Sequence, residues 1–210
     1  MKSIKDLRTE YQKSELNVND LTKKPITLFE QWLSEAIIYS NDANAFVLST
    51  VNSNGIPSSR VLLLRDITEK GFSFFTNYSS RKSQEIELNP NVCMNFFWPD
   101  MERQVRINGS INRLSEKESD DYFNSRPYES RIGACCSPQS QIIDSREVLE
   151  KKIQDLKIKY PKKVPRPENW GGYNILPNEI EFWQGRASRL HDRFLYSKKG
   201  ENWIINRLAP

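Results

Sequence analysis

The stretch AFVLSTVNSNGIPSSRVLLLR, residues 45–65, decides the fold class. Two runs rich in β-branched and large apolar residues, Ala45 to Val51 and Ile56 to Arg65, flank Asn52-Ser53-Asn54-Gly55, a turn signal of hairpin length. A parallel crossover takes about a dozen residues or more, so this loop forces antiparallel pairing. Similar runs follow along the chain: Gly71 to Thr76, Val92 to Trp98, Arg103 to Leu114, Tyr173 to Leu176, Glu179 to Gln184, Arg193 to Ser197 and Trp203 to Leu208. Lys70-Gly71, Pro99-Asp100 and Lys198-Lys199-Gly200-Glu201 punctuate them. Together they predict a mainly β protein, an antiparallel barrel with flanking helices, and exclude a doubly wound parallel sheet.

Helices are expected at the rim. Thr27-Leu28-Phe29-Glu30 has the capping-box form, and Leu28, Phe29, Trp32, Leu33, Ala36 and Ile37 recur at helical spacing, a face suited to covering the sheet. Shorter helices are predicted over Ser80 to Leu88, over Ser115 to Phe123 (opened by Ser115-x-x-Glu118) and over Ser145 to Tyr160 (opened by Asp144-x-x-Glu147). Residues 1–24 are polar, with Leu7, Tyr11 and Leu16 too sparse for a stripe, and read as a mobile arm. Residues 25–210 read as one domain, with Tyr160 to Pro167 a solvated connector inside it.

The 210 residues carry 31 Lys+Arg against 27 Asp+Glu, a formal charge of +4 that does not by itself indicate nucleic acid. No apolar run approaches the roughly 20 residues that span a bilayer, and the first residues lack a secretory pattern, so a cytoplasmic location is expected. Cys93, Cys135 and Cys136 read as free thiols, and with a single histidine, His191, no metal site is expected.

The eight glycines are too scattered to write a G-x-G-x-x-G turn or a P-loop, so any phosphate must be held by side chains. Four clusters mix hydroxyls with cations as phosphate recognition requires: Ser58-Ser59-Arg60 with Arg65; Thr76 with Ser79-Ser80-Arg81-Lys82; Ser125-Arg126-Pro127 with Ser130-Arg131; and Arg186 with Arg189-Leu190-His191-Asp192-Arg193. Taken singly, Ser80-Arg81-Lys82 and the Arg60/Arg65 pair fit a solvated face better than a ligand site, and Arg189 to Arg193 fits a surface loop equally well. A nucleophilic triad would have to be built on His191, and no G-x-S-x-G elbow exists, which argues against a hydrolase. Trp183 and Gln184 stand close enough to the last cluster to wall a flat ligand.

In this order, the motifs resemble the pyridoxine/pyridoxamine 5′-phosphate oxidase family from about Leu7 to Pro210. They are Arg60-Val61-Leu62-Leu63-Leu64-Arg65, Phe75-Thr76-Asn77 with Ser80-Arg81-Lys82, Arg103-Gln104-Val105-Arg106, Tyr122-Phe123-x-Ser125-Arg126-Pro127-x-x-Ser130, Ile132-Gly133-Ala134, Gln139-Ser140, Glu181-Phe182-Trp183-Gln184-Gly185, Arg189-Leu190-His191-Asp192-Arg193 and Arg207-Leu208-Ala209-Pro210. The resemblance implies an FMN-binding split β-barrel, a homodimer with FMN at the interface. It places FMN contacts on Arg60, Val61, Leu62, Leu63, Leu64, Phe75, Thr76, Arg81, Lys82, Gln104, Gln139, Ser140, Trp183 and Arg193. It places the substrate phosphate on Arg65, Tyr122, Arg126 and Ser130, the pyridine ring near Arg189, Leu190 and His191, and a closing segment on Arg8, Thr9, Glu10 and Tyr11.

The implied reaction oxidises C4′ of pyridoxine or pyridoxamine 5′-phosphate to pyridoxal 5′-phosphate, with O2 as acceptor and H2O2 as product. Arg189 and His191 are then the catalytic pair, for orientation and electrostatics first, with acid–base work by His191 open. One departure is Arg65, where the family pattern leads us to expect Lys; a planar fork replaces a compact ammonium. Cys135-Cys136 is expected to pack without a catalytic role. An alternative is a split-barrel carrier or sensor of flavin or pyridoxal phosphate that turns nothing over. An RNA-binding barrel ranks last, because the aromatics alternate like core residues.

Overall fold

Antiparallel pairing joins nine strands among the described residues, which in this computed structural model are 3–7 and 9–210. They are β1 (Ala45–Val51), β2 (Pro57–Leu63), β3 (Asp66–Thr68), β4 (Gly71–Asn77), β5 (Asn91–Trp98), β6 (Arg103–Arg113), β7 (Trp170–Gln184), β8 (Asp192–Lys199) and β9 (Asn202–Arg207). The main order is β2-β1-β5-β6-β7-β4-β3, with β8 paired to β7 and to β9. The β1–β2 hairpin forms as expected, Val51 opposite Pro57 and Ala45 opposite Leu63.

Strand β7 organises the rest. Two short runs separated by Pro177-Asn178 are expected from the sequence, yet the chain runs through them as one fifteen-residue strand. A bulge opposite Asn108 and Gly109 absorbs the irregularity, leaving Asn178 without a partner on β6. Gly109 permits the close approach, since a Cβ there would lie 2.2 Å from the Leu176 carbonyl oxygen. One edge of β7 pairs with β6 from Tyr173 to Gln184, apart from the bulge. The other pairs with β4 over Trp170 to Ile175 and with β8 over Glu179 to Gln184, so the barrel is split at the bulge.

Helix α1 (Pro25–Tyr39) covers the barrel, burying Leu28, Phe29 and Trp32 against Phe72, Phe96 and Phe182. It begins earlier than expected, because Pro25 occupies the first turn, where a missing N–H costs nothing; the Thr27 to Glu30 box is not used as a cap. Helix α2 (Arg81–Leu88) follows Ser80, and α3 (Glu116–Ser125) opens on the expected reciprocal Ser115–Glu118 box. Helix α5 (Arg146–Lys159) starts after Ser145. The sequence predicts no helix over Tyr128–Cys136, where the structure has α4. No helix among the described residues is long and apolar enough to cross a membrane.

The arm from Lys13 to Leu16 lies on the barrel. Leu16 is only 2 % exposed and belongs to the core. The Lys13 amide donates to Glu102, and the Leu16 amide donates to Asp192, both far away in sequence. No local apolar pattern signals such anchoring, which is why Leu16 reads as isolated in the sequence.

Candidate active site

Three groups of side chains emerge from this frame. The first is a cleft of about 540 Å³ between the end of β2, the end of β4, α3 and α4. Its walls include Val61, Leu62, Leu63, Arg65, Phe75, Thr76, Tyr122, Arg126, Ser130 and Gln139, so both expected ligand sets contribute. Helix α4 supplies Ser130, Gly133, Ala134 and then Ser137, at i, i+3, i+4 and i+7, a face of small residues that leaves room. Phe75 and Tyr122 stack with centroids 3.8 Å apart, and Trp170 lies parallel to Tyr122 within 4°. The Arg126 guanidinium sits 4.7 Å over the Trp170 ring, yet its buried Nη1 has no hydrogen-bond partner. Burial pulls its pKa below the ordinary value, and the charge of Arg65 acts in the same direction. A buried donor left unpaired is costly, and an entering anion would satisfy it.

Beside this cleft, Lys82 in the first turn of α2 is 6 % exposed. Its Nζ donates to Thr76 Oγ1 at 3.0 Å, Ser80 Oγ at 2.9 Å and Gln139 Oε1 at 2.9 Å, all neutral acceptors. Burial, then the charge of Arg60, lowers this ammonium to about 8. Arg60 donates to Leu48 O, Thr50 Oγ1 and Ser58 Oγ, and its Nη2 lies 3.3 Å from Glu85. Glu85, one turn beyond Arg81 on α2, also accepts from Arg81 Nε at 2.8 Å, Thr50 and Ser58. Burial alone would raise its carboxyl; the hydrogen bonds from Ser58, Thr50 and Arg81 and the charge of Arg60 outweigh that and bring it to about 2. Two cations, Arg60 and Arg81, thus converge on a single carboxylate, and Lys82 stands beside them without one.

The second group is a row across β6, β7 and β8, where Gln104 pairs with Trp183 and Trp183 with Arg193. Arg193 is aimed by buried Glu181, which accepts from Arg193 Nε at 2.8 Å and from Arg106 Nη2 at 2.5 Å. The third is a cavity of about 690 Å³ lined by Thr9, Glu10, Tyr11, Arg186, Ser188, Arg189 and His191. His191 lies 4.6 Å from Trp183 and 5.9 Å from Tyr11, ring centre to ring centre. Ser188 and Arg189 both have left-handed backbones, φ 56° and 62°, which cost non-glycine residues about 1 kcal/mol or more each. Burial first, then the charges of Arg189 and Arg193, pulls His191 below its ordinary pKa.

Not every expected residue joins these groups. Leu64 is 5 % exposed and its side chain belongs to the barrel core, because the alternation of β2 turns it inward. Its main chain is engaged as well: its N–H donates to Asn44 O at 2.8 Å, and its carbonyl accepts from Asn44 Nδ2 at 3.1 Å. Ser140, at φ 70°, and Leu190 are exposed and line neither cavity. Arg8 lies outside the described residues. Conversely, Asn77 and Trp170 in the cleft, and the carboxylates Glu85, Glu181 and Asp192 that hold Arg60, Arg193 and Arg186, are absent from the expected set. The Arg81-to-Glu85 spacing of i,i+4 is the one signal that could have flagged a carboxylate.

Residues 35–160 match the family model described as pyridoxamine 5′-phosphate oxidase. Residues 170–210 match that of the pyridoxine 5′-phosphate oxidase C-terminal dimerisation region. The pyridoxine/pyridoxamine 5′-phosphate oxidase of Neisseria gonorrhoeae is 49 % identical over 208 residues, covering 99 % of both chains. That of Leptospira biflexa serovar Patoc is 49 % identical over 212 residues, covering 100 % of both. Among solved structures, PhzG from Burkholderia lata 383, in complex with tetrahydrophenazine-1-carboxylic acid, superposes with a TM-score of 0.86 at 31 % identity, covering 91 % of this chain and 95 % of that one. A pyridoxamine 5′-phosphate oxidase-related, FMN-binding protein from Nostoc punctiforme PCC 73102 shares the fold at 18 % identity, with a TM-score of 0.73 over 90 % of this chain and 100 % of that one.

Proposed function

The chain belongs to the pyridoxine/pyridoxamine 5′-phosphate oxidase family, and from that premise we propose that it oxidises pyridoxine 5′-phosphate and pyridoxamine 5′-phosphate to pyridoxal 5′-phosphate, with FMN as cofactor, O2 as acceptor and H2O2 as product. The observation that carries this reading is a pair of cationic centres lacking a counter-anion, one in the cleft and one beside it: Arg126, with an unpaired buried donor, and Lys82, bonded only to neutral acceptors. Two ligands that each bring a phosphate complete both.

In this reading Lys82, Thr76, Arg60 and Arg81 hold the FMN phosphate, with Gln139 beside them. Arg65, Tyr122, Arg126 and Ser130 grip the substrate phosphate. The chemistry that FMN supplies when bound is acceptance of a hydride equivalent and its delivery to O2. The protein's part is positioning: two anchored phosphates fix the substrate's C4′ relative to the cofactor, and the Phe75–Tyr122–Trp170 stack keeps the phosphate arginine rigid.

The remaining expected contacts, Gln104, Trp183, Arg193, Arg189 and His191, stand at the far end of β7. A homodimer brings them in. The matched dimerisation region, residues 170–210, contains all of these but Gln104, and the exposed Val61, Leu63 and Phe97 on the outer face of the sheet suit burial by a second copy. Each of two sites then takes its phosphate cleft from one protomer and its Arg189–His191 loop from the other.

The test is purification followed by a visible spectrum and assays of peroxide release with both substrates. A yellow protein that releases peroxide with either phosphate, and not with unphosphorylated pyridoxine at the same concentration, supports the reading. A colourless protein, or a yellow one that releases none, contradicts it.

A further inference from the structure

Resting on that functional reading, and narrowing it at one residue, we propose that His191 is a tautomer-locked hydrogen-bond donor: neutral, protonated on Nε2, and offering that N–H to an oxygen of the substrate ring rather than receiving a proton from it. The backbone N–H of Arg186 donates to His191 Nδ1 at 3.1 Å. A nitrogen that accepts a hydrogen bond from a main-chain amide carries no proton of its own, so the single proton of neutral imidazole stands on Nε2.

The surroundings hold that state. A histidine that acts as a base typically gives its Nδ1–H to a carboxylate, which stabilises the imidazolium. Here the adjacent carboxylate, Asp192, is committed elsewhere: its Oδ2 accepts from Arg186 Nη1 at 3.0 Å and from the Leu16 amide at 3.2 Å, and its Oδ1 accepts from Arg207 Nη1 at 2.8 Å. Arg189 and Arg193 oppose a positive ring, and Trp183 and Tyr11 cover part of it. Glu10 is the one acidic group lining the same cavity, and no hydrogen bond joins it to the imidazole among the described residues. Nothing in this arrangement stabilises the imidazolium that proton abstraction would create. An Nε2–H donor suits the ring oxygen that both substrates share, leaving the amine or hydroxyl at C4′ unread, which fits one site acting on two substrates.

The chain has one histidine, so its imidazole gives unambiguous signals. In holoprotein labelled with 15N-histidine, long-range 1H–15N correlation at neutral pH is expected to show Nδ1 unprotonated and Nε2 protonated. A proton on Nδ1, or a doubly protonated ring, overturns the proposal. This measurement needs no turnover, so it decides the tautomer even if the functional reading fails. The kinetic arm compares His191→Gln, whose amide N–H falls near Nε2, with His191→Asn, whose amide falls near Nδ1. Removing a general base costs about 10²–10⁴ in kcat, so a donor role predicts that His191→Gln keeps kcat within about tenfold of wild type while His191→Asn raises KM more than His191→Gln does. A loss of about a hundredfold or more in kcat for His191→Gln, rescued by added imidazole, identifies a base and overturns the proposal.

Discussion

Trp170 and Trp183 stand at opposite ends of the same strand, one in the wall of the phosphate cleft and the other beneath His191. Thirteen residues separate them, about 40 Å along the strand at about 3.3 Å per residue. Strand β7 thus holds the two groups of side chains apart within one protomer, as the proposed shared site requires. The cations fall into two sets along it, with Lys82, Arg60 and Arg126 at the Trp170 end and Arg189 and Arg193 at the Trp183 end.

Lys82 makes cofactor binding sensitive to alkali. Burial, then Arg60, sets its pKa at about 8 in the free site, and a bound dianion holds the proton on. FMN affinity of the apoprotein is therefore expected to be flat below pH 8 and to fall above it, by at most about tenfold per pH unit. Fluorescence titration of flavin across pH 7 to about 10 measures this. Lys82→Arg, which stays charged, should flatten the profile; an unchanged slope in that variant would refute the assignment.

Arg126→Ala should separate binding from stability. Its Nη1 has no partner to lose, so the melting temperature is expected to hold or rise. A lost charged hydrogen bond to phosphate is worth about 1.5–3 kcal/mol, hence KM should rise by about 10- to 100-fold. Flavin content should not change. Differential scanning fluorimetry and steady-state kinetics report the two quantities, and equal loss of flavin and KM would mean that Arg126 belongs to the cofactor.

Glu85 links the cradle to acid stability. Its folded carboxyl titrates at about 2, below the ordinary 4.5, so its stabilisation is complete above 4.5 and lost as pH falls toward 2. Glu85→Gln leaves Arg60 and Arg81 without their carboxylate and should cost about 3 kcal/mol or more at neutral pH, a difference that shrinks across that acid window. Urea melts at pH 7 and pH 3 test it; a gap that does not narrow contradicts the account.

Gly185 admits the arm. A Cβ there would meet the Tyr11 ring at 2.7 to 2.9 Å. Gly185→Ala should displace Tyr11 from Trp183, raise KM, and expose Lys13 to trypsin while the barrel stays folded by circular dichroism. Wild-type protection at Lys13 in the variant would show that the ring simply steps aside.

The sheet was legible because its strands alternate and its turns are short; residues 45–65 alone set the antiparallel class. The unity of β7 was not, since Pro177-Asn178 reads as a break until β6 is seen to accommodate it through Gly109. Helix α4 hid because Gly133 and paired cysteines are poor helix formers, although the small residues at 130, 133, 134 and 137 were present as a pattern. The cations Arg60, Lys82 and Arg126 could be picked out by residue type. The carboxylates Glu85, Glu181 and Asp192, which hold Arg60, Arg193 and Arg186, could not, apart from the i,i+4 spacing of Glu85 from Arg81, because partners chosen across 25 residues or between strands leave no local spacing. Nor could the sequence show which end of β7 each cation occupies.

The central claim is that each working site is shared between two protomers. At substrate well below the raised KM, Arg126→Ala and Arg189→Ala homodimers should each be nearly inactive while retaining flavin. Mixing them under conditions of subunit exchange creates mixed dimers in which one of the two sites has both arginines intact, so peroxide release with pyridoxamine 5′-phosphate should recover to about a quarter of wild type. If mass spectrometry shows mixed dimers and no activity returns, the two arginines serve the same protomer's site and the account is wrong.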